Sequence, residues 1–266
     1  MSYRIPFGHQ HLSGSSRRLY MHARDDGRLI KQAVTWAGTN GLVYTDGDIL
    51  CTHAPVALLP NSFPRDSFEY LKSIQPIFNV LIDSVARDKD FILATLLQTA
   101  ETDDFMKRLL NIFLTLPASM IKNSINLGIH RSDYMIQQVE SDQGITHKAL
   151  QIEINTIASS FGCLSKKVVD LHRYMLMRNA ESKDLEDLLL DLDAEFSSDS
   201  ATASTRIPDN PSTRIIAFGI AMAHFLYGDS KAIVLFVVQP GEKNYGDQRL
   251  LEAELWGVHG KFNLMF

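Results

Sequence analysis

What this 266-residue sequence lacks excludes several classes of protein. Only two cysteines occur, Cys51 and Cys163, far apart and without a partner motif, which excludes a disulfide framework and a cysteine metal site and favours a reducing compartment. The strongly apolar runs, 215–226 and 232–238, are too short to cross a bilayer. A formal net charge of -5 at pH 7 gives no general electrostatic reason to bind nucleic acid or an anionic membrane surface. We therefore expect neither a nucleic-acid partner nor a membrane partner.

What is present is typical of a folded globular protein. The chain has 45% hydrophobic and 21% charged residues, and its length suits one large domain or two modest ones. The spacing of apolar residues predicts helices over 68–85, 91–97, 105–116 and 166–177, and we expect their apolar stripes to form core. Pro76 is expected to kink or interrupt the first helix, and Thr102 is expected to cap the third.

Changes in composition predict four parts along the chain. Residues 1–26 contain four arginines and no acidic residue before Asp25, which predicts a disordered extension, with an organellar transit peptide as the alternative. A helix-rich domain over 27–195 ends in a predicted helix with an acidic face, to which we assign no function. The Ser/Ala/Thr-rich stretch within 196–209 predicts a flexible linker. The last part, 210–266, begins with an N-cap followed by proline and a helix that can end at Gly228.

The segment 149–162, ALQIEINTIASSFG, combines a packing pattern with metal-ligand chemistry. Apolar residues at 150, 152 and 154 alternate with polar ones, which predicts a half-buried strand with Gln151, Glu153 and Asn155 on the opposite face. Residues two apart on one strand face lie about 6.5 to 7 Å apart, so the side-chain oxygens of Glu153 and Asn155 can converge on one hard cation. A solvated strand face is the alternative interpretation.

A second candidate site follows the apolar run AIVLFVV at 232–238, which suits a strand covered on both faces. The loop QPGEKNYGDQR at 239–249 comes next, and a helix is predicted over 250–256. Ligands of open α/β sheets settle at the carboxyl ends of strands, beside the amides of the next helix. The candidate contacts are Glu242, Asn244, Asp247 and Gln248. A polar surface loop is the alternative.

Four motifs occur in this order along the chain. They are HAPVALLPNSFP at 53–64, RSDYM at 131–135, QIEINTIASSFGCL at 151–164 and the spaced pattern E-K-N-x-x-D-Q-R at 242–249. Together they resemble the eukaryotic-type glutathione synthetases, which are ATP-grasp ligases. The resemblance covers roughly residues 27 to 258. It implies ATP-dependent ligation of γ-glutamylcysteine and glycine through an acyl phosphate, in a cytoplasmic homodimer.

The resemblance also assigns roles to individual residues. It implies that Glu153 and Asn155 bind Mg²⁺ and that Glu153 also faces the phosphates of ATP. Arg131 resembles the catalytic arginine that lies against the peptide substrate, where its planar guanidinium can pair with a carboxylate or a charged intermediate. The implied peptide-binding residues are Ile157, Ala158, Ser159, Ser160, Glu242, Lys243, Asn244 and Gln248.

The implied fold is of mixed α/β class. It comprises a helix-rich ATP-grasp-type part with an antiparallel sheet, followed by the start of a parallel α/β substrate-binding domain that is incomplete at its C-terminus. Family members are longer, and the 15 glycines of this chain are scattered without the glycine-rich loop that covers ATP. We expect an incomplete ligase that makes no glutathione alone. The alternative is a non-catalytic truncated isoform that binds peptide or pairs with longer subunits.

Overall fold

The computed structural model describes residues 26–45, 51–61, 63–141, 144–182, 207–259 and 263–265. Its helices are α1 Asp26–Asn40, α2 Arg65–Arg87, α3 Lys89–Ala100, α4 Asp104–Thr115, α5 Ala118–Asn123, α6 Leu164–Arg178, α7 Ser212–Tyr227 and α8 Tyr245–His259. Its strands are β1 Val43–Thr45, β2 Cys51–His53, β3 Arg131–Ser141, β4 Gly144–Asn155, β5 Ile233–Leu235 and β6 Asn263–Met265. The mixed α/β class and the antiparallel sheet predicted from the sequence are confirmed, since β1 pairs with β2 and β3 with β4 in antiparallel hairpins.

The chain divides into two compact units, each built from separate stretches of sequence. The described parts of Met1–Ser62, Ser160–Ala217 and Leu235–Phe266 form the first unit. Phe63–Ser159 and Phe218–Val234 form the second unit. Most of the predicted linker at 196–209, the acidic helix before it and the N-terminal extension lie outside the described residues. The predicted division at 27–195 and 210–266 therefore stays a prediction.

The first unit has its core between α1 and α6. Leu29, Ala33 and Ala37 recur every four residues along α1 and are buried, because this spacing places them on one helix face. Leu171 and Met175, also four apart on α6, are fully buried in the same cluster. Outside the core, the buried Asn179 at the end of α6 accepts a hydrogen bond from Arg28 Nη1 at 3.0 Å and donates one to Gln32 Oε1 at 3.0 Å. The amide of Asn179 thus joins the C-terminal end of α6 to α1.

A buried histidine joins α6 to the segment after β2. His172 Nε2 lies 2.9 Å from the carbonyl oxygen of Ala57 and donates to it. Burial lowers the pKa of His172, because the charged imidazolium would lose its hydration, and the hydrogen bond to Ala57 opposes this shift. His172 therefore acts as a neutral, packed side chain.

The second unit contains α2 to α5 and the long β3–β4 hairpin. Helix α2 is continuous from Arg65 to Arg87, so Pro76 does not interrupt it, and the alternative that Pro76 kinks the helix stays a prediction. The cap of α4 is Asp103, whose carboxylate accepts from Met106 N at 2.8 Å, and not Thr102 one residue earlier. The expectation that the apolar stripes form core is wrong in part, because Leu81, Phe91, Leu97 and Phe105 are exposed.

The structure agrees with the sequence predictions at both ends of α7 but differs from them at β5. Helix α7 ends at Tyr227 and Gly228 follows with φ 82°, as predicted, because glycine tolerates this left-handed conformation. Asn210 accepts a hydrogen bond from Ser212 N at 3.1 Å, which confirms the predicted cap. Strand β5 spans only Ile233–Leu235, and its outer side chains are exposed. The structure therefore does not cover this strand on both faces, because an apolar run indicates what a strand is suited to and does not show which elements pack against it.

Candidate functional site

Four polar side chains meet where β3 begins and β4 ends. Arg131 donates from Nε to Asp133 Oδ1 at 2.9 Å and from Nη2 to Asp133 Oδ2 at 3.0 Å. Asn155 Nδ2 lies 3.0 Å from Glu153 Oε1 and 3.3 Å from Asp133 Oδ2. The Arg131 Nη2 atom lies farther, 4.0 Å, from Glu153 Oε1. We call Arg131, Asp133, Glu153 and Asn155 the carboxylate cluster.

The antiparallel register explains why these four side chains share a face. Arg131 is paired with Asn155 and Asp133 with Glu153, and residues two apart on a strand point to the same side. The register then shifts, because Tyr134 is paired with Gln151 and Ile152 is an extra residue on β4. The predicted common face is confirmed for Glu153 and Asn155.

The prediction is wrong for Gln151. This residue lies opposite Tyr134, whose side chain points away from that of its neighbour Asp133, and Gln151 Nε2 lies 3.4 Å from the Tyr134 hydroxyl. The extra residue Ile152 interrupts the strict alternation on which the prediction depended. The bulge therefore confines the cluster to the end of the hairpin.

The ion pair within the cluster keeps both Arg131 and Asp133 in their charged forms. Hydrogen bonds from Arg131 hold the pKa of Asp133 below its ordinary value, because they stabilise the carboxylate. The same hydrogen bonds raise the pKa of Arg131 above its ordinary value. Asp133 and Arg131 are therefore both charged near neutral pH, and the side chain of Asp133 is still 35% exposed to solvent.

The donor set of the cluster suits Mg²⁺. Within the described ranges, no group of three or more His, Cys, Asp or Glu residues could hold a metal ion. Two carboxylates and an amide are present, however, and Mg²⁺ is commonly held by one or two carboxylates together with water and substrate phosphates. The Asn155 amide now directs its nitrogen to Glu153, and rotation of this amide exchanges nitrogen for oxygen. With Glu153 57% exposed, its carboxylate is accessible to an ion from solvent.

The stretch predicted to bind peptide begins at Ile157, two residues after Asn155 of the cluster. Ile157 is 82% exposed, and Ala158 has φ 51°, a left-handed conformation that is uncommon for alanine. The Ser159 hydroxyl lies 2.9 Å from Asn155 O and 3.2 Å from Ile129 O, so it is bonded to backbone in this structure. Ser160 belongs to the first unit, whereas the three preceding residues belong to the second.

The second predicted peptide-binding segment lies in the first unit. Glu242 accepts from Asn244 N at 2.7 Å, and Lys243 O accepts from Thr45 N at 3.1 Å, which attaches the loop to β1. Burial, and then nearby carboxylates, raise the pKa of Tyr44 on the same strand. The buried amide oxygen of Asn244 has no hydrogen-bond partner among the described residues. A ligand with a hydrogen-bond donor could therefore pair with this oxygen. Gln248 lies in the first turn of α8 and is partly buried.

Asp247 has a clear structural role that differs from the predicted ligand contact. Its Oδ2 accepts from Phe161 N at 2.8 Å, and its Oδ1 accepts from Cys163 N and Leu164 N, each at 2.8 Å. These amides lie at the start of α6, where backbone N–H groups have no partner within the helix. A carboxylate is well placed there because it also faces the positive end of the helix dipole. Asp247 therefore caps α6 from α8.

Of the residues predicted to act together, the structure brings together Arg131, Glu153 and Asn155 in the second unit. The structure adds Asp133, which was not predicted from the sequence as a member of the site. Its signal was present in RSDYM, because Asp133 is two residues from Arg131 and therefore on the same face of a strand. The capping role of Asp247 had no comparable signal, since its partners lie more than 80 residues away in sequence.

Comparison with known proteins identifies the family. Residues 24–254 match the model of the eukaryotic glutathione synthase ATP-binding domain. The chain is 36% identical over 241 residues to the chloroplastic glutathione synthetase of Solanum lycopersicum and 35% identical over 233 residues to the glutathione synthetase of Mus musculus. The chain therefore belongs to the eukaryotic glutathione synthase family, and the resemblance inferred from its motifs is confirmed.

The matched relatives are longer proteins. The aligned regions cover 87% of this chain and 40% of the tomato enzyme, and 85% of this chain and 44% of the mouse enzyme. The chain thus spans less than half the length of these relatives. Its fold resembles that of a glutathione synthetase-like effector from Globodera pallida in its apo form, with a TM-score of 0.63 and 21% identity over 92% of this chain and 51% of that one. Over the part of the chain that the structure describes, no helix is long and apolar enough to cross a membrane.

Proposed function

We propose that this chain carries the magnesium and peptide-binding part of an ATP-dependent carbon–nitrogen ligase that joins γ-glutamylcysteine to glycine. The observation that supports this most is the convergence of Arg131, Glu153 and Asn155 at one end of the β3–β4 hairpin. The family match supplies the reaction class, because its relatives are named glutathione synthetases. In this reaction ATP phosphorylates the terminal carboxylate of γ-glutamylcysteine to give an acyl phosphate. The amine of glycine then attacks the acyl carbon and displaces phosphate.

Three residues of the cluster would contact the metal or the peptide in this proposal. Glu153 and Asn155 would hold Mg²⁺, which neutralises charge on phosphate oxygens during phosphoryl transfer. Arg131 would bind a carboxylate of the peptide or stabilise negative charge that develops on it, as a guanidinium with several fixed donors can. Ile157, Ala158, Ser159 and Ser160, and the loop residues Glu242, Lys243, Asn244 and Gln248, would bind the peptide.

The proposal extends to assembly and compartment. We propose that the chain pairs with a second copy, as the family resemblance implies, and that it acts in the cytoplasm. Two isolated cysteines suit a reducing compartment, although the plant relatives are named chloroplastic. Sedimentation velocity tests the dimer, and fractionation of the native cells tests the compartment.

Calorimetric titration of the full chain with γ-glutamylcysteine, in the presence of Mg-ATP, tests the proposal. We expect binding that Arg131→Lys weakens by about tenfold, because lysine cannot reproduce the two-pronged guanidinium contact. Arg87→Lys is the matched control, since Arg87 also pairs with an aspartate, Asp83, at 2.8 Å in the second unit. Phosphate release that needs both amino substrates separates a ligase from a non-catalytic peptide-binding module. Absence of peptide binding to the unaltered chain would contradict the proposal.

A further inference from the structure

We propose that Asp133 is a positioning residue that holds Arg131 away from Glu153 and so keeps the Glu153 carboxylate available for a divalent cation. This inference rests on the proposed function, because it concerns the same cluster. It assigns a task to a residue that the motif resemblance left without one. Asp133 acts through Arg131 and is not itself placed on the cation.

The distances within the cluster show that Arg131 is paired with Asp133 and not with Glu153. The two oxygens of Asp133 accept hydrogen bonds from two nitrogens of the Arg131 guanidinium, Nε at 2.9 Å and Nη2 at 3.0 Å. Arg131 Nη2 and Glu153 Oε1 are 4.0 Å apart, at the outer limit of an ion pair. A change of about 1 Å would convert this approach into a direct hydrogen bond. The two-pronged pair with Asp133 is therefore what prevents Arg131 from occupying the lone pairs of Glu153.

The charge of Asp133 is essential to this arrangement. Arg131 lies near two carboxylates, and it donates to both oxygens of Asp133, which is a bidentate ion pair. If Asp133 became neutral, Glu153 would be the remaining negative partner within reach of Arg131. A guanidinium bound to Glu153 would place a positive charge where a cation must approach. Cation binding would then weaken even though Glu153 and Asn155 were unchanged.

Mn²⁺ is a suitable probe because its paramagnetism broadens the amide signals of residues 153–155 in an NMR titration of the full chain. We expect Asp133→Asn to weaken Mn²⁺ binding about fivefold or more in the presence of Arg131. In an Arg131→Met background, the same substitution is expected to weaken binding by about twofold at most, since no guanidinium is left to move. Asp83→Asn is the matched control, because Asp83 forms an ion pair with Arg87 on α2, away from the cluster.

Crystal structures of the unaltered chain and of the Asp133→Asn variant give a second, metal-free measurement. We expect the Arg131 Nη2 to Glu153 Oε1 distance to shorten in the variant from 4.0 Å to about 3 Å. An equal loss of Mn²⁺ affinity in both backgrounds would make Asp133 a direct ligand and overturn the inference. An unchanged Arg131 position in the variant would also overturn it. If Arg131 moves as expected but the unaltered chain binds no Mn²⁺ at residues 153–155, the positioning role stands and the proposed magnesium site fails.

Discussion

Cys51 and Cys163 differ sharply in their environment. Cys51 is exposed, whereas Cys163 is buried at the start of α6. Burial raises the pKa of the Cys163 thiol to about 11, since the thiolate would lose its hydration, and a hydrogen bond with Thr213 opposes this shift. In the folded protein Cys163 is therefore an inert, neutral side chain at physiological pH.

The raised pKa of Cys163 predicts how the stability of the protein depends on pH in the alkaline range. The folded protein keeps the Cys163 thiol protonated towards pH 11, whereas the unfolded chain ionises it near 9.0. The contribution of the protonated Cys163 thiol to the free energy of unfolding is therefore fully present below pH 9 and is lost as the pH rises to 11. The loss is about 3 kcal/mol, because the pKa of the thiol differs by two units between the folded and unfolded chains. Urea unfolding across this range measures the loss as a decrease in the free energy of unfolding.

The Cys163→Ala variant isolates this effect from other groups that titrate at high pH. Its free energy of unfolding is expected to fall less steeply than that of the unaltered chain above pH 9. Equal slopes for the two proteins would show that Cys163 is not the group responsible. A thiol reagent is expected to modify only Cys51 before unfolding.

The sequence predicted part of the carboxylate cluster, and the missing parts have physical causes. Alternation along one strand identified Glu153 and Asn155, because side-chain direction has period two. The same rule failed at Gln151, since a bulge at Ile152 adds one residue and reverses the direction. The membership of Asp133 depends on the partner strand, because Asp133 contacts Asn155 only through the pairing of β3 with β4.

At the level of secondary-structure elements, the start of α6 depends on a residue from another helix. Asp247 uses both oxygens, one for Phe161 N and the other for Cys163 N and Leu164 N. The residue at the cap position itself, Cys163, makes no capping hydrogen bond with its side chain. The cap of α6 is thus a tertiary contact.

We predict that Asp247→Asn destabilises the protein by about 2 kcal/mol, because asparagine has one acceptor oxygen and its amide nitrogen would face a backbone N–H. Asp103→Asn is the matched control: Asp103 caps α4 with one oxygen, and asparagine is an equally good cap, so we expect a cost below about 0.5 kcal/mol. Urea unfolding measures both free energies. Faster hydrogen exchange at 161–164 in the Asp247 variant would locate the damage at the cap, and equal costs for the two variants would contradict this account.

Local sequence signals predicted the helices better than their ends and surroundings. The predicted helix over 166–177 is confirmed as α6, because Leu171 and Met175 give a clear helical period. The cap of α4 was predicted one residue early, since Thr102 and Asp103 are both good caps and only the fold selects between them. Pro76 was expected to kink or interrupt α2, and it does not interrupt the helix, because a proline removes one hydrogen bond and a helix of 23 residues keeps the others.

At the level of the whole molecule, buried apolar residues are distributed unequally between the two units. The main core cluster of α1 and α6 lies in the first unit. Among the described residues of the second unit, only Ala100, Leu110 and Ile121 are buried apolar side chains. Its helices α2 to α4 instead expose large apolar side chains: Tyr70, Ile77, Val80, Leu81, Phe91, Leu97, Phe105, Leu109, Ile112 and Leu114. Since burial of apolar surface is the main stabilising term in folding, the two units should differ in stability.

Hydrogen exchange followed by mass spectrometry can measure this difference in the full chain. We expect the amides of α3 and α4 to exchange faster and at lower urea concentration than those of α1 and α6. Leu171→Ala, which removes a fully buried side chain, is expected to accelerate exchange in α1 and α6 at a cost of about 2 to 5 kcal/mol. Leu110→Ala is the matched control, because it removes the same atoms from α4 and should act on the second unit. Uniform exchange in all four helices, or equal effects of the two variants on every helix, would mean that the chain unfolds as one cooperative unit whose stability does not follow the distribution of its core.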